Sequence, residues 1–154
     1  MEIKMADKSQ VADIVKIWIE FIDFHKEIDP FFTRRQDGHI NFEKFVRYLL
    51  ESEDSLVLVA LDNEQVVGYS IAEIKEYPPA FLTEKHGFIS DMAVKSDYRR
   101  KGAGQLLLNE VLKWFDSKKV NRIELHVTSK NKIGYSFWKK HGFRDYKHIL
   151  YLNM

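Results

Sequence analysis

FISDMAVKSDYRRKGAGQLLLNEVLKWFDSKKVNRIELHV, residues 88–127, changes its periodicity twice. Residues 88–94, FISDMAV, have the β-branched and apolar content of a strand, whereas 106–119, LLLNEVLKWFDSKK, repeat apolar residues at helical spacing. Residues 122–127, RIELHV, return to a strand. A strand, helix, strand unit of about 40 residues implies two parallel neighbours joined by a right-handed crossover.

The link between the first strand and the helix is unusual. Three consecutive cations, Arg99, Arg100 and Lys101, precede Gly102 and Gly104. Cations repel one another and glycine weakens helices, so local stability does not explain the order. Binding an anion does. A helix start offers unpaired N–H groups and a partial positive charge, the cations extend its reach, and the glycines allow close backbone approach. Four charge-assisted bonds at about 1.5–3 kcal/mol each would give a gross ~6–12 kcal/mol before the cost of ordering the ligand, enough to anchor a pyrophosphate. The competing reading is a solvated basic turn. Two familiar phosphate loops do not fit. Seven residues separate Val94 from Gly102, Leu107 stands where a dinucleotide loop has its third glycine, and no nucleotide-triphosphatase loop occurs.

Upstream, residues 2–6 read as a short strand, and Asp7 with Gln10 forms a capping pair for a helix carrying Val11, Ile14, Val15, Trp18, Ile19 and Ile22. Pro30 ends that region, and a second amphipathic helix begins near Asn41. SLVLVAL (55–61) and VVGYSIAEI (66–74) around Asp62 and Asn63 read as a β-hairpin, and the two prolines of EYPPAFLTEKHG (76–87) mark a loop. Downstream, Asn131 caps a last helix, IGYSFWKKH, closed by Gly142, and YKHILYLNM is expected to supply a final strand. The expectation is a mixed α/β single domain, residues 1–154, with its middle strands covered on both faces.

Composition narrows the function. With 24 Lys plus Arg against 23 Asp plus Glu, the net +1 argues against a general nucleic-acid or membrane surface. Cysteine is absent, which removes thiol catalysis, disulfides and thiolate metal sites. No apolar run is long enough to span a bilayer, and MEIKMADKSQ lacks the core of a signal peptide, so a cytoplasmic protein is expected. The histidines show no metal-ligand spacing, and no metal is expected.

Arg99-Arg100-Lys101-Gly102-Ala103-Gly104 resembles the signature of the GNAT superfamily of N-acetyltransferases, an Arg or Gln, two residues, Gly, one residue, then Gly or Ala. Asn131 through Trp138 to Gly142-Phe143 is similar to a second block of that family. The resemblance implies a mostly antiparallel mixed sheet with one parallel, splayed strand pair and helices on both faces. It implies acetyl-CoA as co-substrate, with its pantetheine arm along the main chain of Met92, Ala93 and Val94 and its pyrophosphate on the amides from Arg99 to Gln105. Asn131 would contact the pantetheine or shape the cleft, and a homodimer is common in the family.

The chemistry requires a neutral amine, a polarised thioester and a proton for the leaving thiolate. Glu73 and Asp91, on facing strands, are the candidate bases or relays, with His86 in the loop as a lesser one. The family's usual acid is a tyrosine four residues before Gly-Phe, where this chain has Trp138, whose indole cannot deliver a proton at neutral pH. Tyr135, one helical turn earlier, is the replacement candidate. Asp23, Asp29, Glu76 and Glu84 would attract a cationic amine, of a small molecule or a protein. Two rivals stand beside this reading: a non-catalytic acyl-CoA sensor, favoured by Trp138, and a nucleic-acid-binding domain using Arg99 to Lys101, disfavoured by the near-neutral charge.

Overall fold

Asp7 and Gln10 form a reciprocal capping box, with the Asp7 N–H donating to Gln10 Oε1 at 3.1 Å and the Ser9 N–H to Asp7 at 2.8 Å. That box opens a short 3-10 turn from which the first long helix grows. The computed structural model describes residues 1–154. Its elements are β1 (Glu2–Met5), α1 (Val11–Ile28), α2 (Gly38–Leu50), β2 (Ser55–Asp62), β3 (Gln65–Glu76), β4 (Lys85–Val94), α3 (Ala103–Ser117), β5 (Ile123–Leu125) and α4 (Lys132–Lys140).

The five strands lie side by side in sequence order, antiparallel except for the β4–β5 pair. The β2–β3 turn places Asn63 and Glu64 at φ 48° and 67°, the twist a two-residue hairpin requires. Two cores sandwich the sheet. Val11, Ile14, Val46 and Leu49 from α1 and α2 pack against Val59, Tyr69 and Ile71, and Leu107, Leu108, Val111 and Phe115 from α3 pack against Leu58, Val67 and Ile89 on the other face. Each of these buried side chains contributes about 1.5–3 kcal/mol. Gly87 lets α3 approach, since a Cβ there would lie 2.5 Å from the Phe115 ring.

Three expectations need correction. The loop is shorter than two prolines implied, because β4 begins at Lys85, and His86 is therefore a strand residue paired with Lys75. The second helix begins at Gly38, three residues before Asn41. Residues 144–154 form no strand, because no neighbouring strand donates to or accepts from their backbone. No helix is long and apolar enough to cross a membrane.

Candidate active site

The parallel pair is brief. β4 meets β5 only at Gly87 with Ile123, Phe88 with Glu124 and Ile89 with Leu125. Beyond Ile89, β4 runs on to Val94 with no partner on that side. The break coincides with a β-bulge. Ile71 faces Asp91 and Ala72 faces Ile89, so Ser90 is an extra residue in β4. Its effect is visible in the cores: Ile89 belongs to the α3 side and Ala93 to the α1 side, although four residues of regular strand would keep them on one face. The face alternation of a regular strand therefore fails at Ser90. What results is a strand edge left unpaired beyond the short β4–β5 ladder.

The basic loop lies at the C-terminal end of that edge. The Arg99 amide bonds to the Ser96 carbonyl at 3.3 Å, whereas the amides of Arg100, Lys101, Gly102, Ala103, Gly104 and Gln105 make no hydrogen bond within the protein. Arg100 at φ 61° and Gly102 at φ 88° turn the chain so that these N–H groups point off the start of α3. Three cations do not serve alike. Arg99 folds back, its Nε donating to the Val94 carbonyl at 3.2 Å and its guanidinium lying 3.7 Å from Glu20 and over Phe24. Glu20 also accepts from the Ser96 N–H at 2.8 Å, which ties α1 to the loop. Arg100 and Lys101 stay exposed, with Lys101 resting over Tyr98. Gly104 has a packing role as well, since a Cβ there would lie 3.3 Å from Phe137 of α4.

Glu73 and the bulge meet on the α1 side of the sheet. Ser90 Oγ donates to Glu73, and the Asp91 main-chain carbonyl accepts from the buried Ser70 hydroxyl at 3.0 Å. Burial pushes the Asp91 carboxyl up to about 7, against the lowering influence of the Tyr69 hydroxyl beside it. That hydroxyl, fully buried and without a partner of ordinary hydrogen-bond geometry, is itself raised well above the usual phenol range by burial and by Asp91. Phe88 lies next along this face, edge-on to His126 and under the Lys75 ammonium at 4.1 Å.

A second polar cluster, centred on Glu124, closes the N-terminal end of the β4–β5 pair. Glu124 accepts from Tyr77 and, at 2.9 Å, from Arg122 Nε, and these bonds hold its carboxyl below the usual range although burial alone would raise it. Tyr77 stacks on His86 at 4.1 Å, and burial lowers the His86 pKa. Sequence reading missed Ser90, Glu20 and this grouping. Their partners lie 17, 76 and 47 residues away, and no local pattern marks them.

On α4, Asn131 caps the helix, accepting from the Gly134 N–H at 3.0 Å while its amide nitrogen lies 3.4 Å from His25 Nε2 on α1. Both ends of its side chain are thus engaged inside the protein, at a junction of α1 and α4. Trp138 packs on Phe137 and Phe143. Tyr135 commits its hydroxyl to Asp145 at 2.9 and 3.0 Å, which raises its pKa. Two of the four carboxylates expected to attract a cation are already paired, Asp23 with Arg34 at 3.0 Å and Asp29 with Lys130 at 3.1 Å.

Residues 18–143 match the profile of the acetyltransferase (GNAT) family, a span from α1 through the basic loop to Phe143. The chain belongs to the GNAT family. Among its GNAT relatives is an uncharacterized N-acetyltransferase of Archaeoglobus fulgidus, 25% identical over 94% of this chain and 93% of that one. In three dimensions this GNAT domain superimposes on a tetramutant of the BH1408 protein from Bacillus halodurans with TM-score 0.91 and 24% identity, covering 100% of both chains. A predicted acetyltransferase of Clostridium acetobutylicum, solved with acetyl-CoA, gives TM-score 0.78 at 21% identity over 99% of this chain and 95% of that one. These likenesses extend across the whole GNAT fold, including the mixed sheet with its one parallel pair.

Proposed function

We propose that this protein is an acetyl-CoA-dependent N-acetyltransferase passing the acetyl group directly to a primary amine. One observation carries the reading: an unpaired strand edge, residues 90–94, leads to six unbonded amides at a helix start. An extended pantetheine arm, with its own amides, suits that edge as an added strand would, along the main chain of Met92 and Ala93. The Val94 carbonyl already has Arg99, so it contributes less. The amides of Arg100 to Gln105 suit a pyrophosphate, with Arg100 and Lys101 supplying charge. The Clostridium acetobutylicum protein solved with acetyl-CoA supports this placement by likeness of fold.

Bound acetyl-CoA would supply an activated thioester carbonyl. A lysine-like amine, pKa about 10.4, is neutral only a few times in ten thousand at pH 7, a deficit of roughly 4–5 kcal/mol. Asp91, raised to about 7, is suited to take a proton from the amine near neutrality, because its carboxylate form is present but not strongly stabilised. Glu73, oriented by Ser90 on the same side of the sheet, is the relay. As nitrogen bonds to the carbonyl carbon, the carbon–sulfur bond breaks and the thiolate leaves. Trp138 cannot protonate it, and Tyr135 is turned to Asp145, so a thiol near pKa 8.5 takes its proton from water. The Phe88 face is taken by the Lys75 ammonium, so the Glu73 carboxylate, and not the ring, is the group there that favours a cationic amine.

The second reading is an acyl-CoA sensor, which Trp138 at the acid position favours. Thiol release from acetyl-CoA, measured across a panel of diamines, aminoglycosides and peptide amines, separates the two. Acceptor-dependent release supports the transferase. Tight binding with no release under any amine supports the sensor.

A further inference from the structure

Glu73 and Lys75 stand two residues apart on one face of β3, opposite in charge, yet they form no ion pair with each other or with any other residue. Both continue the face of Ile71, which is buried under α1. Glu73 is half-buried and Lys75 exposed, so the helices no longer cover the sheet here. Each charge is held by something else. The Ser90 hydroxyl at the bulge donates to the Glu73 carboxylate. The Lys75 ammonium rests 4.1 Å from the centroid of the Phe88 ring, which His126 braces edge-on at 5.1 Å. Glu124, opposite Phe88 across the parallel pair, is committed to Tyr77 and Arg122 and leaves that ammonium unneutralised.

Two residues of antiparallel strand advance about 7 Å, so the open face presents an anion and a cation at that spacing, neither spent on the other. A diamine would set its second ammonium against Lys75. A molecule with an ammonium at one end and a carboxylate at the other meets both groups with opposite charge. Its reactive amine falls to the Glu73 end, because Asp91 pairs with Ile71 on that side and Lys75 lies further along the strand. The spacing suits a chain in which several methylenes part amine and carboxylate, not an α-amine beside its own carboxylate.

We propose that the acceptor is an ω-amino acid, its amine on Glu73 and its carboxylate on Lys75, which makes Lys75 a specificity-determining residue. This rests on the transferase reading above. In the transfer the carbon–nitrogen bond forms as the carbon–sulfur bond breaks, the proton lost by nitrogen passes to Asp91, water protonates the thiolate, and the carboxylate stays unchanged on Lys75. Three chains of similar length test it, δ-aminovalerate, pentylamine and cadaverine, which end in an anion, a methyl group and a cation. Their kcat/KM should fall in that order, by about fivefold per step at low salt, the upper range for an exposed ion pair, and the spread should shrink as salt is added. Lys75→Gln should bring the three within about twofold of one another, and Lys75→Glu should reverse the order. Ratios taken within one variant cancel any change in its folded fraction. Independently of turnover, the Lys75 side-chain signals, followed by nuclear magnetic resonance with CoA present, should shift on adding δ-aminovalerate and not on adding pentylamine. A Lys75 response without turnover of any amine supports the zwitterion site and removes the transferase reading. Equal turnover of all three amines, an order that both Lys75 variants leave unchanged, or Lys75 signals unmoved by δ-aminovalerate would overturn the proposal and leave that reading intact.

Discussion

Ile89 and Ala93, four residues apart on one strand, sit in opposite cores of the protein. The extra residue between them, Ser90, ends the β4–β5 pairing, opens the strand edge and turns Asp91 toward Tyr69. Fold and candidate chemistry thus share one local irregularity.

Asp91 should cost stability while serving reactivity. Its carboxyl holds a proton up to about pH 7 in the folded chain but only to 3.8 when exposed. Between those values the folded state binds more protons, so stability falls as pH rises through that window. Asp91→Asn removes the effect. It should stabilise the protein by about 2 kcal/mol at pH 8, after discounting for the partial exposure of the group, and by nothing near pH 3. Acetyl transfer should drop by about 100-fold and lose the limb of its pH profile near 7. Thermal unfolding at the two pH values and a pH–rate series check both halves.

Glu20 acts at a distance by holding the loop. Glu20→Ala releases the Ser96 amide and the Arg99 guanidinium. Since the carboxylate is partly exposed, a loss of about 1 kcal/mol is expected, a four- to sixfold rise in KM for acetyl-CoA with kcat little changed. Steady-state kinetics resolve the two constants.

The two glycines of the loop should behave differently. At Gly102 a Cβ meets nothing but φ is 88°, so Gly102→Ala should cost about 1 kcal/mol in backbone strain alone. At Gly104 the added atom meets Phe137, so Gly104→Val should cost about 1–3 kcal/mol through the α3–α4 contact, besides obstructing a ligand. Denaturant midpoints for the two variants, alongside acetyl-CoA affinity, separate packing from binding.

Asn131→Ala should loosen α4 from its first turn. The cap to Gly134 and the contact with His25 both go, for about 1 kcal/mol. Hydrogen exchange should speed up selectively at the amide of Gly134.

Regular periodicity made the helices at 11–28 and 103–117 and the hairpin around Asn63 legible in the sequence, because each answers to a local pattern. The family signature at 99–104 likewise led to the unbonded amides of residues 100–105, although the Arg99 amide is taken by the Ser96 carbonyl. Ser90 was not legible, since a bulge inserts one residue into an alternating run without changing its composition. Neither were Glu20 and Ser96, which meet only through tertiary packing. The pattern of 146–154 does favour a strand; a strand also needs a neighbour, and sequence pattern alone does not supply one.

The most direct test of the account is the response of individual backbone amides to acetyl-CoA, followed by nuclear magnetic resonance on the labelled chain. The N–H signals of residues 100–105 should show the largest shifts and slowed exchange, followed by Met92 and Ala93. If those signals stay unmoved while acetyl-CoA binds elsewhere or not at all, the assignment of this loop and strand edge is contradicted.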